Sequence, residues 1–155
     1  MSTIDERLAA EGITVPDAPA PAANYVPFVK TGNQIFISGQ LPMVDGKCQF
    51  LGRLGAGVEV ADGVQSARLC AINLIANLKV ACGGDLSKVT RVVRLGGFVA
   101  ATPEFEQHPA VINGASDLMA SIFGDAGAHA RAAVGVSSLP FGASVEVEGL
   151  FEISE

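Results

Sequence analysis

The sequence predicts an α+β domain in which two helices cover one face of a four- to five-stranded β-sheet. Two segments, near 62–82 and 109–123, carry apolar residues at helical spacing. Runs rich in Val, Ile and Phe, punctuated by Gly, Pro and Asn, flank and separate them, so the element order reads β-β-α-β-α-β-β. No internal repeat divides the 155 residues. That length fits one domain with a sizeable core, spanning 1–155, whose first 21 residues form an extension and connector.

Residues 3–12 suit a short helix. The Pro/Ala stretch 15–24 follows as an extended connector, because proline removes a donor and disfavours helix before it. "YVPFVKTGNQIFISGQLP", residues 25–42, reads as a hairpin turning at Thr31-Gly32-Asn33. Glycines 52, 55 and 57 make the next segment a loop or a short extra strand. Asp62 is the expected N-cap of a helix that reaches Cys82. Its apolar stripe is Val64, Ala67, Ala71, Leu74, Leu78 and Cys82, and Gly83-Gly84 offers the stop. "KVTRVVRLGGFVAA", residues 88–101, is β-branched and reads as a strand. Pro109 suits the first turn of a second helix and Gly124 its end. The buried positions there are Ile112, Ala115, Met119 and Ile122, with Val111, Leu118 and Phe123 alongside. Residues 129–154 are expected to close the chain as a hairpin around a Pro-Gly turn.

Composition narrows the function classes. Apolar residues make up 49% and charged residues 17%, which excludes a disordered chain. The mean hydropathy of +0.40 is high for a soluble monomer. No apolar run reaches the roughly 18 residues a membrane helix needs, so the excess points to buried contacts between copies. A net charge of −6 and a pI near 4.8 disfavour a nucleic-acid partner held by phosphate neutralisation. Cys48, Cys70 and Cys82 have no paired or metal spacing and read as reduced residues of a cytoplasmic protein. The N-terminus has neither the basic nor the apolar segment of a signal peptide. His108 and His129 lack metal-ligand spacing and read as structural or surface residues. His129 falls two residues before Arg131.

The final segment carries the most chemistry. In 145–153, Val145, Val147, Phe151 and Ile153 share one strand face; Glu146, Glu148, Leu150 and Glu152 share the other. In 130–137, Arg131 stands among Ala133, Gly135 and Ser137, small residues that leave room for another surface or a ligand. Spacing alone leaves two readings open. One is a solvated face with incidental charges. The other is a cleft where a guanidinium clamps a carboxylate through two parallel hydrogen bonds, beside a glutamate suited to acid–base work.

"FISGQLP" (36–42), the Asp62–Gly84 helix and "ARAAVGVSSLPFGASVEVEGLFEI" (130–153) resemble the Rid, or YjgF-like, family of reactive intermediate deaminases over roughly residues 22–153. The resemblance implies a chorismate-mutase-like α+β fold, assembled as a homotrimer whose sheets form a barrel with sites between subunits. It also implies hydrolysis of enamines and imines such as 2-aminoacrylate to 2-keto acids and ammonia, with no metal or organic cofactor. By position, Arg131 falls on the family's carboxylate-binding arginine and Glu146 on the residue that positions water. Ser38 and Gly39 fall on the strand end lining the pocket, Asn113 on an asparagine near the cleft, and Tyr25 on a tyrosine that covers the ligand. Ala133 stands where the family often has cysteine, Tyr25 lacks a preceding Gly-Pro, and the segment after "SGQLP" is longer and glycine-rich, the marks of a divergent branch. Two other functions remain: a non-catalytic trimer that binds small carboxylate metabolites, and an endoribonuclease or translation inhibitor. The acidic balance disfavours the last, and no paired histidines or metal carboxylates stand ready to carry it.

Overall fold

The computed structural model describes residues 3–20 and 23–155. Met1, Ser2, Pro21 and Ala22, which belong to the expected extension and connector, lie outside the described residues. Thr3 opens helix α1 (Ile4–Ala10) by accepting a hydrogen bond from the Glu6 amide at 3.1 Å, which satisfies one of the unpaired donors of the first turn. Strands β1 (Phe28–Thr31) and β2 (Gln34–Gln40) form the expected hairpin, with Gly32 at a φ of 58° between them. The glycine-rich segment adds two small ladders. One pairs β3 (Met43–Val44) with β4 (Lys47–Cys48), the other β5 (Arg53–Leu54) with β6 (Gly57–Val58).

Helix α2 (Val60–Ala81) starts three residues before the position a side-chain cap would give. Glu59 is its N-cap, through backbone geometry alone, and Asp62 sits in the first turn, where its charge meets the positive end of the helix dipole. Strand β7 (Val89–Ala100) follows. Helix α3 (His108–Phe123) then begins with Pro109 in its first turn and ends at Gly124, whose φ of 60° suits glycine. Arg7 of α1 donates to the Ile122 carbonyl of α3 at 3.1 Å and so ties the N-terminal helix to it. Strands β8 (Ala130–Val136) and β9 (Val145–Ile153) complete the chain.

The main sheet runs β1-β2-β9-β7-β8. This corrects one expectation: β8 and β9 are not a hairpin. β8 pairs in parallel with β7 at the sheet edge, and β9 lies on the other side of β7, antiparallel to both β7 and β2. The physical reason is the β7–α3–β8 crossover. A strand that returns through a helix lies parallel to the strand it left. The Pro140–Gly142 turn then carries the chain past the end of β7 instead of folding β9 onto β8.

Paired residues point to the same face, so register assigns the sides. Val145, Val147 and Phe151 of β9 lie with Leu95 and Val99 of β7 and Ile35 of β2 under the helices, all fully buried. Leu74 and Leu78 of α2, with Ile112, Met119 and Ile122 of α3, close this core from above. Each such aliphatic side chain contributes about 1.5–3 kcal/mol by leaving water. The opposite face carries Val29, Phe36, Phe98, Val134, Glu146, Glu148 and Leu150, and no helix covers it. Val29, Phe36 and Val134 are each about half exposed. Among the described residues no helix is long and apolar enough to cross a membrane.

Candidate functional site

Arg131 pairs with Leu95 across β7–β8, so its side chain leaves the sheet on the helix side, at the edge. Ala133 packs on the core and Gly135 faces α3, where a Cβ would approach His108 Cδ2 to 3.1 Å. The small residues around Arg131 therefore make room for a helix. At the start of the strand that helix is polar. Arg131 Nη1 donates to Asn113 Oδ1 at 2.8 Å and to Ser116 Oγ at 3.2 Å. Ser116 Oγ is also 2.8 Å from His129 Nε2, and His129 Nδ1 is 2.6 Å from the Gly127 carbonyl. Among the described residues the side-chain ion pairs are Arg68–Glu11 and Arg94–Glu148. Arg131 has none: it is a half-buried guanidinium with no carboxylate beside it.

Glu146 belongs to a second cluster. It pairs with Phe98 and leaves the sheet on the open face. β2 carries one extra residue here: Ile37 pairs with Gly149 and Gln40 with Val147, so Ser38 and Gly39 bulge beside the glutamate. Gly39 lets the carboxylate lie against the strand backbone, since a Cβ on it would lie 2.8 Å from the Glu146 carboxyl carbon and displace that side chain. The Ser38 hydroxyl donates to the Val26 carbonyl at 2.8 Å, and its amide donates to Pro27 at 2.9 Å, which anchors the segment bearing half-exposed Tyr25. Burial, with the like charge of Glu148 second, pushes the Glu146 carboxyl above its ordinary value.

That shift has a consequence for stability. The folded chain holds the Glu146 proton more tightly than the unfolded chain does. Stability therefore falls as pH rises from the ordinary carboxylate value through the raised one, and the penalty persists above both. Glu146→Gln is expected to melt at a higher temperature than the parent protein near pH 8. The gap should close as the pH drops below the ordinary carboxylate range, which thermal melts at two pH values would read.

Six residues were expected at one site, and within one chain the structure groups them as two and four. Arg131 and Asn113 are together. Tyr25, Ser38, Gly39 and Glu146 are together elsewhere. In register, Glu146 and Arg131 lie two strands and three residues apart on opposite faces. At about 4.8 Å per strand and 3.3 Å per residue, their backbones stand roughly 14 Å apart.

A cavity of about 760 Å³ opens beside the second cluster, between the 14–20 connector, the end of β2 and α2. Tyr25 and Gly39 line it with Leu41, Met43 and Phe141; Arg131, Asn113 and Glu146 do not. The cysteines take no part. Burial pushes the Cys70 thiol far up, so little reactive thiolate forms.

The sequence alone does not single out Ser116 or the role of His129. One signal was present: Ser116 follows Asn113 by three, on the same helix face. The other half, a histidine reaching back across 13 residues, exists only once α3 packs beside β8.

The family model described as "YjgF/chorismate mutase-like, putative endoribonuclease" matches residues 5–152. The chain is 50% identical over 145 residues to protein TCP17 of Trypanosoma cruzi, covering 92% of this chain and 89% of that one. It is 29% identical to 2-iminobutanoate/2-iminopropanoate deaminase of Dermatophagoides farinae, covering 91% of this chain and 94% of that one. Among solved structures, protein Atu1372 of Agrobacterium tumefaciens, itself of unknown function, superposes with a TM-score of 0.92 at 52% identity. That match covers 97% of this chain and 92% of the other.

Proposed function

This chain belongs to the YjgF/chorismate-mutase-like family, and on that footing we propose that it hydrolyses small enamine and imine acids to 2-keto acids and ammonia. The observation that carries the reading is the Arg131 guanidinium, half-buried, held by Asn113 and free of any carboxylate among the described residues. In a chain of net charge −6, a guanidinium held by neutral partners and left without a carboxylate is set up for an anion from outside. The mite relative's name supplies the chemistry of that anion, an imino acid.

The half-sites meet when a second copy brings its Glu146 to the first copy's Arg131. Three copies joined through their open sheet faces, a barrel of homotrimeric form, would also cover Val29, Phe36 and Val134. Arg131 then binds the substrate carboxylate and fixes the imine carbon. Such alignment contributes up to about 7–11 kcal/mol in ideal cases. Glu146 takes a proton from water as the oxygen adds to that carbon. It passes that proton to nitrogen to complete the carbinolamine, then carries the hydroxyl proton to nitrogen as C=O forms and the C–N bond breaks, leaving a keto acid and ammonia. Its raised pKa suits both steps, which are typically worth ~10²–10⁴ in rate. The imine is already electrophilic, so the chain's own residues suffice. Gly39→Ala should fold normally, because a flexible carboxylate end can yield to a methyl group. It should nonetheless cut kcat at least about tenfold by displacing Glu146 from its water, while KM changes little; steady-state kinetics reads both.

The reading is tested by generating imines with an amino-acid oxidase and measuring ammonia release. Acceleration proportional to protein concentration supports it. Saturable keto-acid binding without acceleration would replace it with a non-catalytic carboxylate binder.

A further inference from the structure

Both hydrogen bonds of Arg131 leave from one nitrogen. Nη1 carries two protons, one directed at Asn113 Oδ1 and the other at Ser116 Oγ, so it is saturated. Nε and Nη2 remain. Their N–H bonds run parallel along one side of the guanidinium plane, the fork that takes both oxygens of a carboxylate. No described residue hydrogen-bonds either of them.

The Ser116 oxygen accepts from Arg131 because of His129. The Gly127 carbonyl, 2.6 Å from His129 Nδ1, can only accept, so Nδ1 carries the ring proton. Nε2 of the neutral ring is then an acceptor, and the Ser116 hydroxyl, 2.8 Å away, donates to it. That turns the oxygen lone pairs toward Arg131. Every link has one direction: Arg131 to Ser116, Ser116 to His129, His129 to Gly127. The chain ends on a fixed point, since Gly127 is buried so closely against α3 that a Cβ would lie 2.9 Å from the Met119 carbonyl carbon.

We propose that Ser116 and His129 are positioning residues which, with Asn113, saturate Nη1 of Arg131 and so present its Nε–Nη2 edge, side-on, to the substrate carboxylate. This rests on the reading of Arg131 as the carboxylate anchor. It restricts the ligand to an anion that presents two acceptor oxygens side by side, as a free carboxylate does. A primary amide, which offers one acceptor and two donors, does not fit an edge made only of donors.

The test uses the full-length chain and benzoate as probe, titrated calorimetrically, with KM and kcat for oxidase-generated imines measured alongside. Ser116→Ala and His129→Ala should each weaken benzoate about tenfold and raise KM similarly, with kcat changed less than about twofold. Because the two act in series, the double variant should be no worse than the weaker-binding single. Ser116→Thr keeps the hydroxyl and should restore binding. His129→Ala cuts the relay without altering α3, so the proposal remains exposed even if Ser116→Ala folds poorly.

If Ser116→Ala and His129→Ala bind benzoate like the parent while Arg131→Ala does not, the relay is overturned and the anchor stands. Losses that multiply in the double variant also overturn the relay. If Arg131→Ala binds like the parent, or the parent shows no saturable binding, the anchor reading fails and the relay falls with it.

Discussion

Arg131→Ala is expected to weaken binding of a small carboxylate about 10²-fold and to abolish accelerated ammonia release, while the melting temperature and oligomeric state stay close to those of the parent protein. The size follows from the chemistry of the edge. Removing one partner of a desolvated, hydrogen-bonded charge pair costs about 2–5 kcal/mol, and each 1.4 kcal/mol is a factor of ten in affinity. The small effect on stability follows from position. Arg131 lies on an edge strand, and its partners Asn113 and Ser116 keep access to water, so its bonds are exchanged for hydration at about 1 kcal/mol each or less. Arg131→Lys should recover little. An ammonium has no plane, so it cannot hold Asn113 and Ser116 on one side while offering a parallel pair of donors on the other. Titration calorimetry, ammonia release, a thermal melt and sedimentation read the four quantities separately. Parent-like hydrolysis by Arg131→Ala would sink the proposed chemistry.

The helices were legible because burial repeats at helical period. Ala67, Ala71, Leu74 and Leu78 of α2 and its C-cap Cys82 are buried as their spacing implied, while Val64 at the start of the stripe is only partly buried; Ile112, Ala115, Met119 and Ile122 of α3 are buried. The first hairpin was equally local, fixed by a glycine turn between two apolar runs. The pairing of β8 was not. A proline and a glycine between two strands give the same signal whether the strands pair or stand on either side of a third, and a long-range crossover decided it.

The same limit applies to the site. Arginine and glutamate types were visible, as was the alternation placing Glu146 opposite Val145 and Val147. That Arg131 and Glu146 use opposite faces depends on the side from which α3 covers β8, which no local pattern encodes. The partners that orient Arg131 lie 15 and 18 residues away in sequence, and packing alone brings them near.

Packing at that point depends on a residue with no side chain, and Gly114→Val is expected to lower the melting temperature by roughly 5–10 °C and to weaken carboxylate binding together. Glycine inside a helix costs about 1 kcal/mol relative to alanine, so Gly114 in the middle of α3 needs a reason. The reason is α2: a Cβ on Gly114 would lie 2.9 Å from the Val64 carbonyl carbon and 3.2 Å from its Cα. Backbone meets backbone there, and no rotamer can relieve an added methyl group. Overpacking typically costs about 1–3 kcal/mol, and at this chain length each kcal/mol is worth about 2–4 °C. Pushing α3 off α2 also moves Asn113 and Ser116, which sit on either side of the contact and hold Arg131. Gly63, on α2 at the same crossing, is the control. Its Cβ would meet only side-chain ends, Leu54 Cδ1 at 3.1 Å and the Val111 methyls at 3.2 Å, which can shift by a few tenths of an ångström. Gly63→Ala should therefore melt near the parent temperature and bind benzoate normally, whereas Gly114→Ala should already show part of both losses. Equal melting of the two alanine variants would mean that the helix crossing is looser than these contacts require, and that Arg131 does not depend on it.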